Sequence, residues 1–488
     1  MSDTLWIVIG YFVFFGYMFL EILIGEGLQK KFNFDKETTR KVEHIFTGVC
    51  WIIGYFFFGW SIHLFIVNLI GLVLLAVITF GGLMTSIERE DAGKSYGVFY
   101  FGLSTLVVVS VIVFAEESLF PYSGIAYYCL VLADGLAPIV AKAFKKHNVP
   151  LVYGKSLAGT ATVFVMTALI ALVFSLIFSL HLSLLLILSL ASVVAMAELF
   201  GAKGTDNLTI VFCAFGYLVL AHYGYLDTGT EIVILLVPIL TLTSILTKAL
   251  TPWAHAVSYL VLLAFAIFGG YPLAVLALTL FTVAAVVTKI TSKLYAKKAH
   301  VESKNTRGVI QILANGLLTA VLAAVWFFTI AKWALLLAFV VLIEEFADSM
   351  SSDVGRLASK PPVDILRFKR VPAGTSGGVS LLGTSASLIA TYLAGLFVLL
   401  FFKDPILYVV ISGIAFFGTL IDSVLGSLVQ GLFECPICGA ITEKRTHCDS
   451  PTKLIKGFAA INNSLVNFLS GALTAAVAAP ILLLTGIL

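Results

Sequence analysis

Residues 157–179 read LAGTATVFVMTALIALVFSLIFS, twenty-three positions without a charged side chain. At 1.5 Å per residue, a helix of that length extends about 34 Å and crosses the hydrocarbon core of a bilayer. Working outward from it, apolar stretches of the same kind recur at 5–24, 45–60, 63–83, 97–115, 122–141, 182–200, 207–223, 231–247, 253–269, 272–288, 308–330, 333–347, 379–401, 405–422 and 464–487. With 60% hydrophobic residues, 12% charged residues and a mean hydropathy of +1.05, a soluble globule of 488 residues is excluded. The expected fold is an all-α polytopic integral membrane protein of about sixteen transmembrane helices in two weakly similar halves.

The distribution of cations supports these spans. Of the 30 Lys and Arg residues, 26 fall in six stretches, 25–43, 84–96, 142–155, 289–307, 356–370 and 443–456. All six lie on one side of the sixteen-span arrangement, whereas the other side carries Glu116, Glu117, Asp227 and Glu231 with only Lys332 and Lys403. The positive-inside rule puts the basic loops in the cytosol and the N-terminus outside. The first span lacks a small-residue cleavage site and is read as a membrane helix, not a signal peptide. The net charge of +3 matters less than its placement, since basic loops attract lipid headgroups and equally hold nucleotide phosphates.

Two stretches repeat one device, an acidic residue at the end of an apolar helix, then a basic loop and a small-residue turn. The first runs from Ala133 to Thr160, ADGLAPIVAKAFKKHNVPLVYGKSLAGT; the second, within 347–387, contains ADSMSSDVG and KRVPAGTSGGVSLLGTSAS. The outside loop YGYLDTGTE separates them and sets an expected boundary at 225/226. Carboxylates inside or beside the hydrocarbon need a cation or metal partner. In the first half they are Asp134, Glu198 and Asp206; in the second, Glu344, Glu345, Asp348, Asp353 and Asp422. A structural ion pair with a loop cation is the plainer reading of any one of them. Spacing of four places Arg40, His44 and Gly48 on one helical face, and Ser303, Arg307, Gln311 and Asn315 on another. Asp348 and Ser352 lie one turn apart on a continuing helix, and Asp422 is expected to end its span.

GKSLAGT (Gly154, Lys155, Ser156, Gly159, Thr160) lacks both the four-residue spacer and the preceding strand of a P-loop. It offers a lysine and backbone amides at a helix N-terminus, where an anion is favoured. The run from Ala373 to Gly383, with Gly374, Thr375, Gly377 and Gly378, offers amides without the lysine; Arg367, Lys369 or Arg370 would supply the charge. Either run also serves as a tight turn or a close helix contact. Of six cysteines, Cys50, Cys129 and Cys213 sit in apolar spans as small hydrophobes. Cys435, Cys438, His447 and Cys448 form C-x2-C-x8-H-C, a compact four-ligand pattern for structural zinc.

On these elements, residues 1–225 resemble the dolichol kinase and phytol kinase family, polytopic enzymes that use CTP as phosphoryl donor. The elements are RKVEH (Arg40, Lys41, His44), ADGLA (Asp134), GKSLAGT, and Glu198 followed by DNLTI (Asp206, Asn207). Residues 226–488 resemble the phytyl phosphate kinase family. There the elements are SKNTRGVIQILANG (Ser303, Lys304, Arg307, Gln311, Asn315), FADSMSSDVG (Asp348, Asp353), VPAGTSGGVSLLG, IDSVLGSLVQ (Asp422) and INNSLVNFLS (Asn463, Asn467). That family usually carries DTWASE where this chain has DSMSSD, and the cysteine cluster is outside its pattern. The C-terminal signature of phosphatidate cytidylyltransferases is absent, which argues against nucleotidyl transfer.

The resemblance implies a bifunctional CTP-dependent kinase that converts an isoprenoid alcohol such as phytol or geranylgeraniol to its monophosphate and then its diphosphate. Its expected partners are the bilayer, the nucleotide, the alcohol and the isoprenyl monophosphate, with no nucleic acid. Mg2+ is assigned to Asp134, Asp206, Asp348, Asp353 and Asp422, and Glu198 joins the catalytic set. Arg40, Lys41, His44, Lys155 and Asn207 in the first half, and Lys304, Arg307 and the Gly374–Gly378 turn in the second, are placed on phosphates. Two alternatives stand: a single active half acting as a polyprenol kinase or cytidylyltransferase, and a two-repeat membrane transporter.

Overall fold

The computed structural model describes residues 3–32, 36–81, 96–144, 148–299 and 306–484. Ser303, Lys304 and most of the basic stretch 84–96 lie outside these, as does the side chain of Arg40 within its helix. The chain divides into two units, Met1–Pro238 and Ile239–Leu488.

The first unit contains α1 (Asp3–Phe32), α2 (Lys36–Phe46), α3 (Gly48–Phe58), α4 (Ile62–Gly81), α5 (Gly97–Phe114), α6 (Phe120–Tyr128), α7 (Gly135–Ala143), α8 (Leu157–Ile177), α9 (Leu184–Phe200), α10 (Asp206–His222) and most of α11 (Thr228–Leu246). A π-helical turn, Cys129–Asp134, joins α6 to α7 and makes one continuous span of them. Local chemistry sets the ends. Pro121 opens α6, where its missing N–H costs nothing. The Ser156 and Ser183 hydroxyls accept from the backbone N–H groups of Gly159 and Leu186 to cap α8 and α9. From Ser189 to Leu199, α9 is buried on every side, as its all-round apolar sequence requires.

The second unit contains α12 (Pro252–Ala299), α13 (Val309–Thr329), α14 (Lys332–Gly355), α15 (Leu381–Phe402), α16 (Pro405–Leu428) and α17 (Asn463–Leu484). Helix α14 is its axis: the other five all pack against it, and every residue from Ala334 to Glu345 is buried. Within α12, Gly270 adopts φ 69° and ψ 178°, a region open essentially to glycine, and breaks the run into the two spans read at 253–269 and 272–288.

Among the described residues, eleven helices are long and apolar enough to cross a membrane, with shorter apolar helices at Leu184–Phe200 and Asp206–His222. The chain is a multi-pass integral membrane protein built of helices.

Three local expectations change. The polar loops carry short strands: β1 (Val363–Asp364) pairs with β2 (Gly378–Val379); β3 (Leu432–Glu434) lies between β4 (Ile441–Thr442) and β7 (Lys453–Lys456); β5 (Thr446–His447) pairs with β6 (Ser450–Pro451). Arg307 does not share a helical face with Gln311 and Asn315. Extended Gly308 (φ −98°, ψ 174°) precedes the first turn of α13, and Arg307 bridges to Leu250. Asp422 does not end its span, because α16 continues to Leu428.

Candidate functional site

In the first unit the site is built around Asp134, 2% exposed at the end of the π turn. The Lys41 ammonium, itself buried, lies 2.5 Å from Asp134 Oδ2 and donates also to the Asp134 main-chain carbonyl at 3.2 Å. The second contact has a cause in the sequence. Pro138 lies four residues on and has no N–H to give that carbonyl, so the acceptor is left for the lysine. His44, one turn after Lys41, brings Nε2 to 3.9 Å from the same carboxylate and 3.2 Å from the Leu130 carbonyl.

Lys155 enters from the turn before α8. Tyr153 and Gly154 take positive φ, and Leu151 N–H to Lys155 O (2.9 Å) with Lys155 N–H to Val152 O (3.0 Å) closes the loop. Asn148 pins it, donating to Ser156 Oγ at 2.8 Å and accepting from Ala158 N at 3.1 Å. The lysine then reaches Glu198 Oε1 at 2.6 Å and Asp206 Oδ2 at 3.4 Å. Burial alone lowers an ammonium pKa, but Glu198, Asp206 and Asp134 outweigh it and hold Lys155 above the ordinary lysine range. The return between α9 and α10 requires Gly201, where a Cβ would stand 2.6 Å from Asp206 Cβ. Glu198 Oε2 has no hydrogen-bond partner among the described residues.

Beside this cluster opens a cavity of about 190 Å³, lined mainly by apolar residues such as Phe14, Trp51, Leu72 and Val109. His44, Glu43, Glu21 and Asn207 are the polar and acidic groups that bring it toward the Asp134 neighbourhood. Asn207 is fixed in the wall by donating to the Gly97 carbonyl at 2.7 Å.

In the second unit, Glu344 and Glu345 are buried midway along α14, and Asp348 follows one turn later within electrostatic reach of Asp422 and Asp353. Ser470 donates to Glu344 Oε1 at 3.0 Å, whereas Glu344 Oε2, Glu345 Oε2 and Asp422 Oδ2 have no hydrogen-bond partner among the described residues. Asp353 accepts from Thr288 at 2.5 Å, and Arg307 donates to the same hydroxyl at 3.3 Å. Asn463, Asn467 and Asn315 form a chain, with links of 3.2 Å and 3.3 Å, that joins α17 to α13. Gln311 is occupied elsewhere, accepting from Gly308 N–H at the start of α13.

The glycine loop is packed and internally bonded. Gly378 N–H donates to Thr375 O at 3.0 Å and Thr375 N–H to Pro372 O at 3.2 Å, so two of the amides expected to face phosphate serve the turn. Gly377 (φ 79°) presses on α16, where a Cβ would stand 2.5 Å from Ser427 N. Gly374 also takes positive φ. The hub of this loop, missed in the sequence, is Asp364. It accepts from Ser427 Oγ at 2.8 and 2.9 Å, from Lys456 at 3.3 Å, and from the amides of Leu366 and Arg367. Burial raises its pKa, but the Arg367 and Leu366 amides with the Ser427 hydroxyl prevail and bring it down to about 2.

Among the described residues, one group of potential metal ligands has all its donor atoms within 4.8 Å of one another: Cys435, Cys438, His447 and Cys448. The two carboxylate sets are thus electrostatic clusters and not ready-made cages.

Comparison with known proteins places these features. The integral membrane protein family DUF92 matches residues 235–475. The uncharacterized membrane protein MJ0933 of Methanocaldococcus jannaschii is 32% identical over 167 residues, covering 34% of this chain and 67% of its own. Protein PGR of Arabidopsis thaliana is 34% identical over 140 residues, 26% of this chain and 47% of its own, so the chain spans about half of that relative. No solved structure matches. The chain belongs to the DUF92 family of integral membrane proteins.

Proposed function

We propose that this protein is a membrane phosphotransferase whose first unit phosphorylates an isoprenoid alcohol and whose second unit adds a phosphoryl group to the resulting monophosphate. The donor is CTP with Mg2+, and both reactions run at the cytosolic face. The observation that carries the reading is Lys155 held between Glu198 and Asp206, beside the Lys41–Asp134 pair and an apolar cavity. Phosphoryl transfer asks for positioning and charge neutralisation more than covalent chemistry, and buried Lys41 with half-buried Lys155 beside an apolar cavity supply both.

The donor sets are compatible with a divalent cation. Among the described residues Glu198 has an oxygen without a hydrogen-bond partner, and the second unit gathers buried Glu344 and Glu345 with half-buried Asp348 and Asp422, three of whose oxygens also lack one, a negative charge that calls for a cation. Asp134 and Asp206 would hold the metal in the first unit, and Asp348, Asp353 and Asp422 in the second. Mg2+ supplies neutralisation of the triphosphate when bound. For the chain's own residues, Lys155 and Lys41 meet phosphate oxygens, and His44 and Asn207 orient the alcohol at the mouth of the cavity.

A second reading, a cation-coupled carrier, is favoured by Glu344 and Glu345 lying deep in α14. Purified protein in lipid, given γ-labelled CTP and a panel of prenols, separates the two. Label in a prenyl phosphate supports the kinase; no labelled lipid with any prenol sinks it, and α-label in lipid would indicate nucleotidyl transfer.

A further inference from the structure

The cysteine-bearing loop after α16 has a geometry that the phosphotransfer reading does not use. Cys435 N–H donates to Ala440 O and Gly439 N–H to Cys435 O, each at 2.9 Å, which folds C-P-I-C-G into a tight knuckle with Gly439 at φ 69°. Twelve residues after Cys435, the β5–β6 hairpin turns at Cys448 and Asp449, both with positive φ, and delivers His447 and Cys448 to the same point. Cys438 Sγ stands 3.4 Å and Cys448 Sγ 3.3 Å from His447 Nδ1, and the two sulfurs are 3.8 Å apart. For a tetrahedral Zn2+ with Zn–S of about 2.3 Å and Zn–N of about 2.0 Å, sulfur–sulfur edges come to about 3.8 Å and sulfur–nitrogen edges to about 3.5 Å. These three spacings match those edges, and the Cys435 sulfur lies within 4.8 Å of the other three donor atoms. None of the three sulfurs is in a disulfide, and a set of three thiols and one imidazole is soft enough to select zinc over the hard cations of the carboxylate clusters.

We propose that Cys435, Cys438, His447 and Cys448 bind one structural Zn2+, and that the metal holds the small β-module in the position that fixes the glycine loop of the second unit. The mechanical link is visible on both sides of the knuckle. Glu443, between the two ligand pairs, accepts a short hydrogen bond from Ser376 in the glycine loop. Lys456, on β7 of the same sheet, reaches the loop's hub Asp364. The direct contacts between knuckle and hairpin are weak sulfur ones beside the β4–β3–β7 pairing, so without the metal the anchors on Ser376 and Asp364 lose part of their support.

The test uses the full chain purified in detergent without chelators. Elemental analysis is expected to find one zinc per chain, retained through gel filtration against a weak colorimetric chelator. Replacing it with Co2+ should give the visible absorption of a tetrahedral thiolate site. Cys438→Ser combined with Cys448→Ser should remove the metal, whereas Cys213→Ser should keep it. Hydrogen exchange at residues 374–378 should rise in the double variant. Metal-free wild-type protein that also fails to take up Zn2+ or Co2+ overturns the site. Full zinc in the double variant does the same, and unchanged exchange at 374–378 in a zinc-free, folded variant overturns the link to the loop. Wild-type metal content stands even if the variant fails to fold, and none of these readouts depends on kinase activity.

Discussion

Lys41 holds Asp134 at two points, 2.5 Å from the carboxylate and 3.2 Å from the main-chain carbonyl that Pro138 leaves open. The carboxylate is therefore fixed by backbone as well as side-chain chemistry. Lys41→Met leaves a buried carboxylate without its cation, and removing one partner of a buried pair costs about 3–5 kcal/mol. Monophosphate formation by Lys41→Met or Asp134→Asn should fall at least about a hundredfold, roughly the loss of one charge contact in the transition state. Steady-state assays with a C20 prenol give the ratio.

Pro138→Ala tests the backbone part alone. The substitution restores an N–H able to satisfy the Asp134 carbonyl and regularises the helix, so thermal stability should rise or hold while the lysine loses an acceptor. The expected result is a lower kcat with a Tm no lower than wild type. Equal kcat would separate the carbonyl contact from function.

Lys155 bridges two carboxylates, and its length matters as much as its charge. Lys155→Met should abolish first-unit activity and lower stability, whereas Lys155→Arg should recover stability but little rate, because the planar fork cannot reproduce a point charge between Glu198 and Asp206. Its pKa is raised in the fold, so its stabilisation is complete below the ordinary lysine value and is lost only as pH rises through the raised one. First-unit stability should not change on this account between about pH 6 and 9.

Asp364 has the opposite sign. Its folded pKa, about 2, lies below the ordinary value of 3.8, so its contribution is present above that ordinary value and disappears as pH falls toward 2. Asp364→Asn should therefore lower Tm at neutral pH, by the cost of unpaired Ser427 and Lys456, about 1–3 kcal/mol. Thermal melts of both proteins at pH 7 measure it. Their difference should narrow only in strong acid.

Chain length is the handle on the cavity. A Cβ at Gly71, in its wall, would meet no atom within 4 Å, so Gly71→Leu projects into the space without displacing backbone. The variant should keep activity on short prenols and raise KM several-fold for C20 and longer. A uniform fall across the panel would place the lipid tail elsewhere.

Apolar runs and cation placement made the membrane class legible, because both follow directly from the bilayer as solvent. The carboxylates Asp134, Glu198 and Asp206 were legible for the same reason: an acid in an apolar stretch is costly. Their partners were not. Lys155 meets Glu198 across 43 residues, a contact decided by how α8 and α9 pack, which no local spacing encodes. The i, i+4 spacing of Arg307, Gln311 and Asn315 suggests one helical face, but the extended backbone of Gly308 delays the helix to Val309 and leaves Arg307 outside it. Asp364 carries no local signal, because its role depends on Ser427 on α16 and Lys456 on β7, both distant in sequence, and on short strands that a helical reading does not contain. The cysteine pattern was readable because its ligands are local.

The most direct test of two centres in one chain is a product analysis with γ-labelled CTP and a C20 prenol, run on wild type, Asp134→Asn and Asp348→Asn. Wild type should give labelled monophosphate and diphosphate. Asp134→Asn should make neither from the alcohol yet convert supplied monophosphate, and Asp348→Asn should accumulate monophosphate. Loss of both products in both variants, or diphosphate from Asp348→Asn at the wild-type rate, would contradict the account.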